Sequence, residues 1–332
     1  MTAPFRRARL LTALAVVPLL ALAACAGSSA DDDPAAEGTP SAAAGLEIST
    51  SPDQDRIHTT VADDAVALLP AKVKDSGVLK VATTAGAAPP LGFLADDEKT
   101  PIGNETDIAQ LVADALGLKL ELEQKAWADW PLALQSGDVD AVISNVTVTE
   151  ERKELYDFSS YRNDQLGWIT SADSKIKEIK EPKDIAGLTV GVGSGTNQEK
   201  ILLAWNEENI KNGLEPIKNG EPEYYEAYSD VLLAVQSGRL DTYVGPNASL
   251  AYSAATAPDQ FKVVGTLNGG WPLTAQIAVA TLKGSELAPA VTAALQHAFD
   301  DGTYADVLAR WGLSAEAIEK PETNPPGLPK TE

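Results

Sequence analysis

An arginine stands in an unfavourable place in this chain. Along Ser144-Asn145-Val146-Thr147-Val148-Thr149-Glu150-Glu151-Arg152 a short apolar strand gives way to what reads as the start of a helix, with Thr149 placed to cap it. Glu150 and Glu151 suit a first helical turn, but Arg152 there opposes the helix dipole at a cost of about 0.3 to 1 kcal/mol. An anionic ligand would give the cation a reason, because it could use both the guanidinium and the free backbone N–H groups. A solvated arginine satisfies the spacing equally well.

Two further segments could bear chemistry. Gly193-Ser194-Gly195-Thr196-Asn197-Gln198 follows an apolar strand and precedes a helix, and its glycines would let backbone N–H groups turn toward an anion. No Lys follows as in a phosphate-binding loop, and the third glycine of the dinucleotide pattern is missing, so a carboxylate-sized anion fits better than a nucleotide. A plain tight strand-to-helix connection has the same composition. The aromatic residues Trp127, Trp130, Tyr161, Trp168 and Trp271 lie at or near element ends. Trp130 and Trp168 are expected in cores, whereas Trp127 and Trp271 are the candidates for packing on a ligand.

The elements that must position these residues come in two copies. Residues 133–145, ALQSGDVDAVISN, return as residues 234–247, AVQSGRLDTYVGPN. Each copy reads as a helix stopped by a Gly in the left-handed region, then a short apolar strand whose far end carries small polar groups. Ligands of open α/β sheets bind beyond the carboxyl ends of the strands, so two such units imply two α/β lobes facing one another across a cleft. A helix over residues 57–74, a strand at residues 77–84, an amphipathic helix over residues 104–116 and further alternation to residue 155 describe a largely parallel first lobe. Residues 165–171 cross to the second lobe, whose strands include residues 188–192 and 261–265. The chain returns through Gly269-Gly270-Trp271-Pro272 to a strand at residues 276–281 and two helices. The expected division is lobe 1 at residues 57–164 plus 271–316, lobe 2 at 165–270, and a proline-rich surface tail at 317–332.

The N-terminus reads as an address. Arg6, Arg7 and Arg9 precede an apolar run that closes on Leu22-Ala23-Ala24-Cys25, a secretory pattern similar to a bacterial lipobox. Residues 1–24 are then the signal, and Cys25 the lipidated first residue of the mature chain. Pro18 and the short run argue against a spanning helix. As the one cysteine in the sequence, Cys25 leaves no pair for a disulfide. Residues 25–56, rich in Ala, Ser, Asp, Pro and Gly, are expected to form a disordered tether. A formal charge of −22, more negative once the arginines of the signal are gone, repels phosphate backbones, so no nucleic-acid partner is expected. His58 and His297 have no Cys or second His at ligand spacing, and neither a metal nor a cofactor is called for.

Taken in order, Pro89-Pro90, Gly103-x-x-x-Asp107-Ile108-Ala109, Leu134-Gln135-Ser136-Gly137-x-x-Asp140, Thr147 to Arg152, Phe158-Ser159, Gly187-x-x-Val190-Gly191-Val192, Gly195-Thr196 and Gly238-Arg239-x-Asp241 resemble family 3 extracellular solute-binding proteins, the receptors of ABC importers for polar amino acids. The resemblance covers residues 69–312. It implies a type II periplasmic binding protein-like fold, two α/β lobes joined by a two-strand hinge, in a lipid-anchored monomer at the outer face of the cytoplasmic membrane. Such a protein would carry a small carboxylate-bearing solute to permease subunits. The resemblance makes Arg152 the clamp for an α-carboxylate, aided by Asn145, Thr147, Thr196 and Asn197, with Trp127 a wall of the pocket. An acid that holds the ligand's α-ammonium in the family is Pro246 here, and another found in some members is Thr84. These departures argue against lysine, arginine or histidine as ligand and leave Asn247 or a backbone carbonyl to receive an ammonium. The same residues would serve a ligand-sensing lipoprotein, and the fold also hosts dehydratases that use a cleft carboxylate.

Overall fold

The structure, a computed structural model, describes residues 48–84 and 88–330. The expected signal segment, Cys25 and the tether up to residue 47 lie outside the described residues, and so does Ala87. Lobe 1 opens with α1 (Asp63–Ala67) and α2 (Ala71–Ser76) in place of the one helix expected over residues 57–74. Pro70 divides them, because proline has no N–H to continue a helix and instead precedes the first turn of the next. The chain continues through β1 (Val78–Thr84), the small hairpin β2 (Phe93–Leu94) and β3 (Pro101–Ile102), α3 (Asn104–Ala115), β4 (Lys119–Lys125), α4 (Trp130–Ser136), β5 (Ala141–Thr147) and β6 (Tyr156–Asn163). Lobe 2 holds β7 (Gln165–Ser171), β8 (Val190–Val192), α5 (Asn197–Lys211), β9 (Glu223–Tyr224), α6 (Tyr228–Gln236), β10 (Thr242–Pro246), α7 (Asn247–Thr256) and β11 (Phe261–Asn268). The return to lobe 1 adds β12 (Gln276–Leu282), α8 (Ala288–Asp300) and α9 (Thr303–Arg310).

Each lobe has a five-stranded sheet, ordered β4-β1-β5-β12-β6 in lobe 1 and β11-β7-β10-β8-β9 in lobe 2. Three neighbouring strands run parallel in each, while the strands that enter and leave the crossing, β6, β12, β7 and β11, run antiparallel to their neighbours. The sheets are therefore more mixed than alternation alone implies, since a chain that crosses between lobes and comes back must reverse direction. The two crossings are bonded to each other: Asp164 N–H donates to the Ala275 carbonyl at 2.9 Å, and Gly269 N–H donates to the Asp164 carbonyl at 2.8 Å.

The repeated unit is α4–β5 in one lobe and α6–β10 in the other, with Gly137 at φ 75° and Gly238 at φ 70° turning the chain between them. Its aspartates do the same work in both copies. Asp140 accepts the Lys80 N–H at 3.0 Å and returns its own N–H to the Lys80 carbonyl at 2.9 Å. Asp241 does so with Thr189 at 2.8 and 2.9 Å. These residues pin neighbouring strands.

Two expectations give way. The helix read from Thr149 onward is a single 3₁₀ turn, Arg152–Glu154, because β6 begins at Tyr156 and Thr149 bridges to Leu328. Residues 48–56, placed in the tether by composition, are bound to lobe 1: the Arg56 guanidinium donates to the carbonyls of Pro101 at 2.8 Å and Thr106 at 3.2 Å. His58, mostly exposed, bonds to Asp114 at 2.7 Å, and His297 bonds to Thr60 at 3.1 Å.

Candidate ligand cavity

The carboxyl ends of β1 and β5 in lobe 1 face the N-terminus of α5 and the ends of β9 and β10 in lobe 2, and a cavity of about 490 Å³ lies between them. The lobes touch around it. Arg152 Nη2 reaches the Gly195 carbonyl at 3.4 Å, Ser249 Oγ donates to the Ala88 carbonyl at 3.3 Å, and Lys200 pairs with Glu151. The cleft is thus drawn nearly shut on a space of the size that takes small organic ligands.

Arg152 projects from the 3₁₀ turn onto this cavity. Its backbone N–H is held by Thr149 Oγ1 at 3.1 Å, Nη1 donates to the Thr147 carbonyl at 2.8 Å, and the guanidinium lies over Trp127 at 5.6 Å and Trp130 at 6.0 Å. Burial pulls its pKa down, opposed by the attraction of Asp164 and Glu151. Among the described residues no carboxylate stands within 4 Å of it. A sheltered cation given carbonyls and aromatic faces, but no carboxylate in contact, is suited to receive an anion. The unfavourable dipole inferred from sequence has no full helix behind it, so the case for Arg152 rests on this missing partner.

Arg162, on β6, is the contrast. It is fully buried between Glu105 and Glu316, with Asn145 Oδ1 accepting a further bond, and Tyr161 donates to Glu105. Burial works against its charge, but the attraction of Glu316 and Glu105 outweighs that and raises the pKa. A buried charge held between two carboxylates is structural ballast for lobe 1. Glu105 also lines the cavity and was not singled out from the sequence; it sits unmarked inside Gly103-x-x-x-Asp107. Asp107 itself turns inward, accepting the Trp311 indole N–H at 2.8 Å.

Trp127, Asn145, Thr147, Arg152, Thr196 and Asn197 all line the cavity. Several have prior commitments. Thr147 Oγ1 donates to Asp164 at 2.7 Å, and Thr196 Oγ1 caps α5 by accepting the Glu199 N–H at 3.2 Å. The Asn197 amide is bonded to the Gly269 carbonyl and so ties lobe 2 to the second crossing. The Gly195 N–H, expected to face an anion, donates to the Glu199 carboxylate at 2.6 Å.

Trp271 and Asn247 must be corrected: neither lines the cavity. Trp271 packs edge-on to Trp205 at 5.1 Å, where the stack of Trp205 on Trp168 offers it more apolar contact than the cleft does. Asn247, the first residue of α7, points at β7, into room left by the missing side chain of Gly167. Pro246 and Ser249 flank it and do line the cavity, as do Thr84 and Ala88. Residues missed by sequence reasoning are Tyr225, Glu226, Tyr228 and Tyr243 on lobe 2, of which Glu226 is exposed. Tyr225 and Glu226 lie in a strand-to-helix connection with no glycine pattern and Tyr228 opens α6, so they gave no signal, while Tyr243 lies in β10 inside the repeat, where strand pattern does not tell which face meets the cavity.

Comparison with known proteins agrees with this geometry. Residues 79–314 match the family model described as bacterial extracellular solute-binding proteins, family 3. The chain is 28% identical over 257 residues to the arginine-binding protein ArgT of Corynebacterium glutamicum, covering 76% of this chain and 80% of that one. It is 31% identical over 247 residues to the L-cystine-binding protein TcyJ of Escherichia coli K12, covering 72% and 84%. Among solved structures it superposes with a TM-score of 0.61 on the ancestral amino acid-binding protein AncCDT-1, a precursor of cyclohexadienyl dehydratase, at 27% identity over 72% of this chain and 97% of that one.

Proposed function

We propose that this chain, which belongs to the family 3 bacterial extracellular solute-binding proteins, captures an amino acid or amino acid-like solute by lobe closure and delivers it to the permease of an ABC importer. The observation that carries this reading is Arg152, a cation with no carboxylate partner among the described residues, which spans from lobe 1 to the Gly195 carbonyl of lobe 2 over the Trp127 ring. A ligand carboxylate there would complete the charge and join the lobes. Relatives named for arginine and cystine support the amino acid class. The positions where the family places ammonium-binding acids, Thr84 and Pro246, line the cavity without a charge; the carboxylates that do line it are Glu105, already paired with Arg162, and the exposed Glu226, which leaves Glu226, carbonyls and aromatic faces to meet the ligand's amine. Trp127, Asn145, Thr147, Thr196 and Asn197 would shape the carboxylate end.

The reading extends to a monomer anchored at the outer membrane face by lipid on Cys25, with residues up to 47 as the spacer. Cys25→Ser should release the protein from membranes and leave affinity unchanged; retention of that variant after signal cleavage would overturn the anchor. The main test is a thermal-shift and calorimetric screen against L-arginine, L-cystine, L-glutamine, betaines and small dicarboxylates. Saturation at a hundred times Kd should stabilise the fold by about 2.7 kcal/mol. Recovery of the bound solute unchanged in mass separates a receptor from a dehydratase on the same fold.

A further inference from the structure

The C-terminal tail, beyond the family match that ends at residue 314, is bound in two stages. From Glu316 to Asn324 it runs along β6, the edge of the lobe 1 sheet: Ser160 N–H donates to the Glu322 carbonyl at 3.0 Å, and Asn324 exchanges bonds with Phe158 at 2.8 and 2.9 Å. That part covers an open strand edge. From Pro325 the chain leaves β6 for the turn that bears Arg152. Leu328 N–H donates to the Val148 carbonyl at 3.0 Å, and Glu150 N–H donates to the Leu328 carbonyl at 2.8 Å. Gly327 N–H donates to the Glu150 carboxylate at 2.8 Å, Lys153 Nζ donates to the Pro325 carbonyl at 3.1 Å, and Lys330 pairs with Glu154.

Both sides of Arg152 are therefore tied to the tail, while Arg152 points away from it, at the cavity. The buried Leu328 side chain also rests against Gly270 of the second crossing, where any side chain would collide with it. Within the turn itself, Lys153 N–H to the Thr149 carbonyl at 3.0 Å, Glu154 N–H to the Glu151 carbonyl at 3.2 Å and Leu155 N–H to the Arg152 carbonyl at 3.1 Å close one helical turn, too short to be stable alone. Lys283 holds its far end, Nζ donating to the Lys153 carbonyl at 2.6 Å and N–H to the Leu155 carbonyl at 3.0 Å.

We propose that residues 325–330 are a strap that positions the Arg152 turn, linking it to the second crossing so that the guanidinium stays poised over the cavity. This rests on the reading of Arg152 as the carboxylate clamp, but the strap can be tested apart from it. Two variants loosen it. Truncation after Asn324 keeps the β6 edge and the Glu316–Arg162 pair. In the full chain, Gly327→Ala places a methyl 2.8 Å from the Glu150 nitrogen.

The first readout is amide hydrogen exchange without ligand. Peptides covering residues 151–155 should exchange at least about tenfold faster in both variants, with the β1 and β5 peptides unchanged. Wild-type rates at residues 151–155 would show that the turn holds itself and would overturn the strap. The second readout is calorimetry with L-arginine, L-cystine and L-glutamine as probes. Arg152→Ala should weaken the probe that binds by a smaller factor in the truncated chain than in the full chain, since a clamp already loose has less to lose. Equal factors in the two backgrounds would reduce the tail to a general stabiliser. No effect of Arg152→Ala in the full chain would reject the clamp while the exchange result still judged the strap.

Discussion

At the scale of residues, the buried Arg162 and the half-buried Arg152 divide the labour of lobe 1. Arg162 has its charge met by Glu105 and Glu316, while Arg152 has no carboxylate in contact among the described residues. Arg152→Ala should weaken a carboxylate ligand by about 2 to 5 kcal/mol, and Arg152→Lys should recover only part of it because an ammonium cannot copy a planar two-point contact. Titration calorimetry decides, and an unchanged Kd would remove the residue from the site. Asp164 lies behind Thr147 in the first crossing, and burial raises its pKa against the opposing bond from Thr147 and the pull of Arg162 and Arg152. Folded, it keeps its proton to a higher pH than it does unfolded. The folded state then binds more protons in that window, so stability falls as pH rises from the ordinary carboxylate range to the raised value and levels off above it. Wild type should lose stability relative to Asp164→Asn across that window in thermal melts; parallel curves would deny the shift. Of the site, Arg152 and Trp127 were legible because their types are unusual at strand and helix ends. Trp271 and Asn247 misled because position near a hinge or helix start does not tell which way a side chain points.

At the scale of elements, the repeat was the clearest signal in the chain, since helix, glycine stop and strand each leave their own mark and here they do so twice. Its aspartates read as part of a motif and turn out to hold strand to strand. Asp140→Ala and Asp241→Ala should each cost about 1 kcal/mol of stability, below the usual range for hydrogen bonds to a charge because Asp140 is half-buried and Asp241 exposed. Neither should alter ligand affinity. A large loss of affinity at either position in calorimetry would place it in the site after all. The Thr149 turn shows what local pattern misses. Capping residue and acidic first turn were present, but Leu328, far along the sequence, pairs with Thr149 and β6 begins too soon for a helix. Residues 48–56 fail for the same reason, since composition records the lack of apolar residues and is blind to a docked Arg56.

At the scale of the molecule, two lobes, two crossings bonded to each other and contacts from lobe to lobe describe a hinge in its closed position. Alternating strands and helices and the return of residues 269–282 made this architecture legible. The reversal of the crossing strands was not, because direction within a sheet is decided by tertiary pairing. Direct contact contributes little to closure: the Lys200–Glu151 pair is exposed and adds at most about 1 kcal/mol. A ligand bound by both lobes must supply the rest. The radius of gyration should therefore fall when the binding probe saturates the protein, and superimposable scattering curves would argue for a rigid module. The most direct measurement compares, by titration calorimetry on the wild type, the amino acid that binds with its α-carboxamide, which keeps the shape and loses the charge. If Arg152 closes the lobes on a carboxylate, the amide should bind at least about thirtyfold more weakly. Equal dissociation constants for acid and amide would contradict the account.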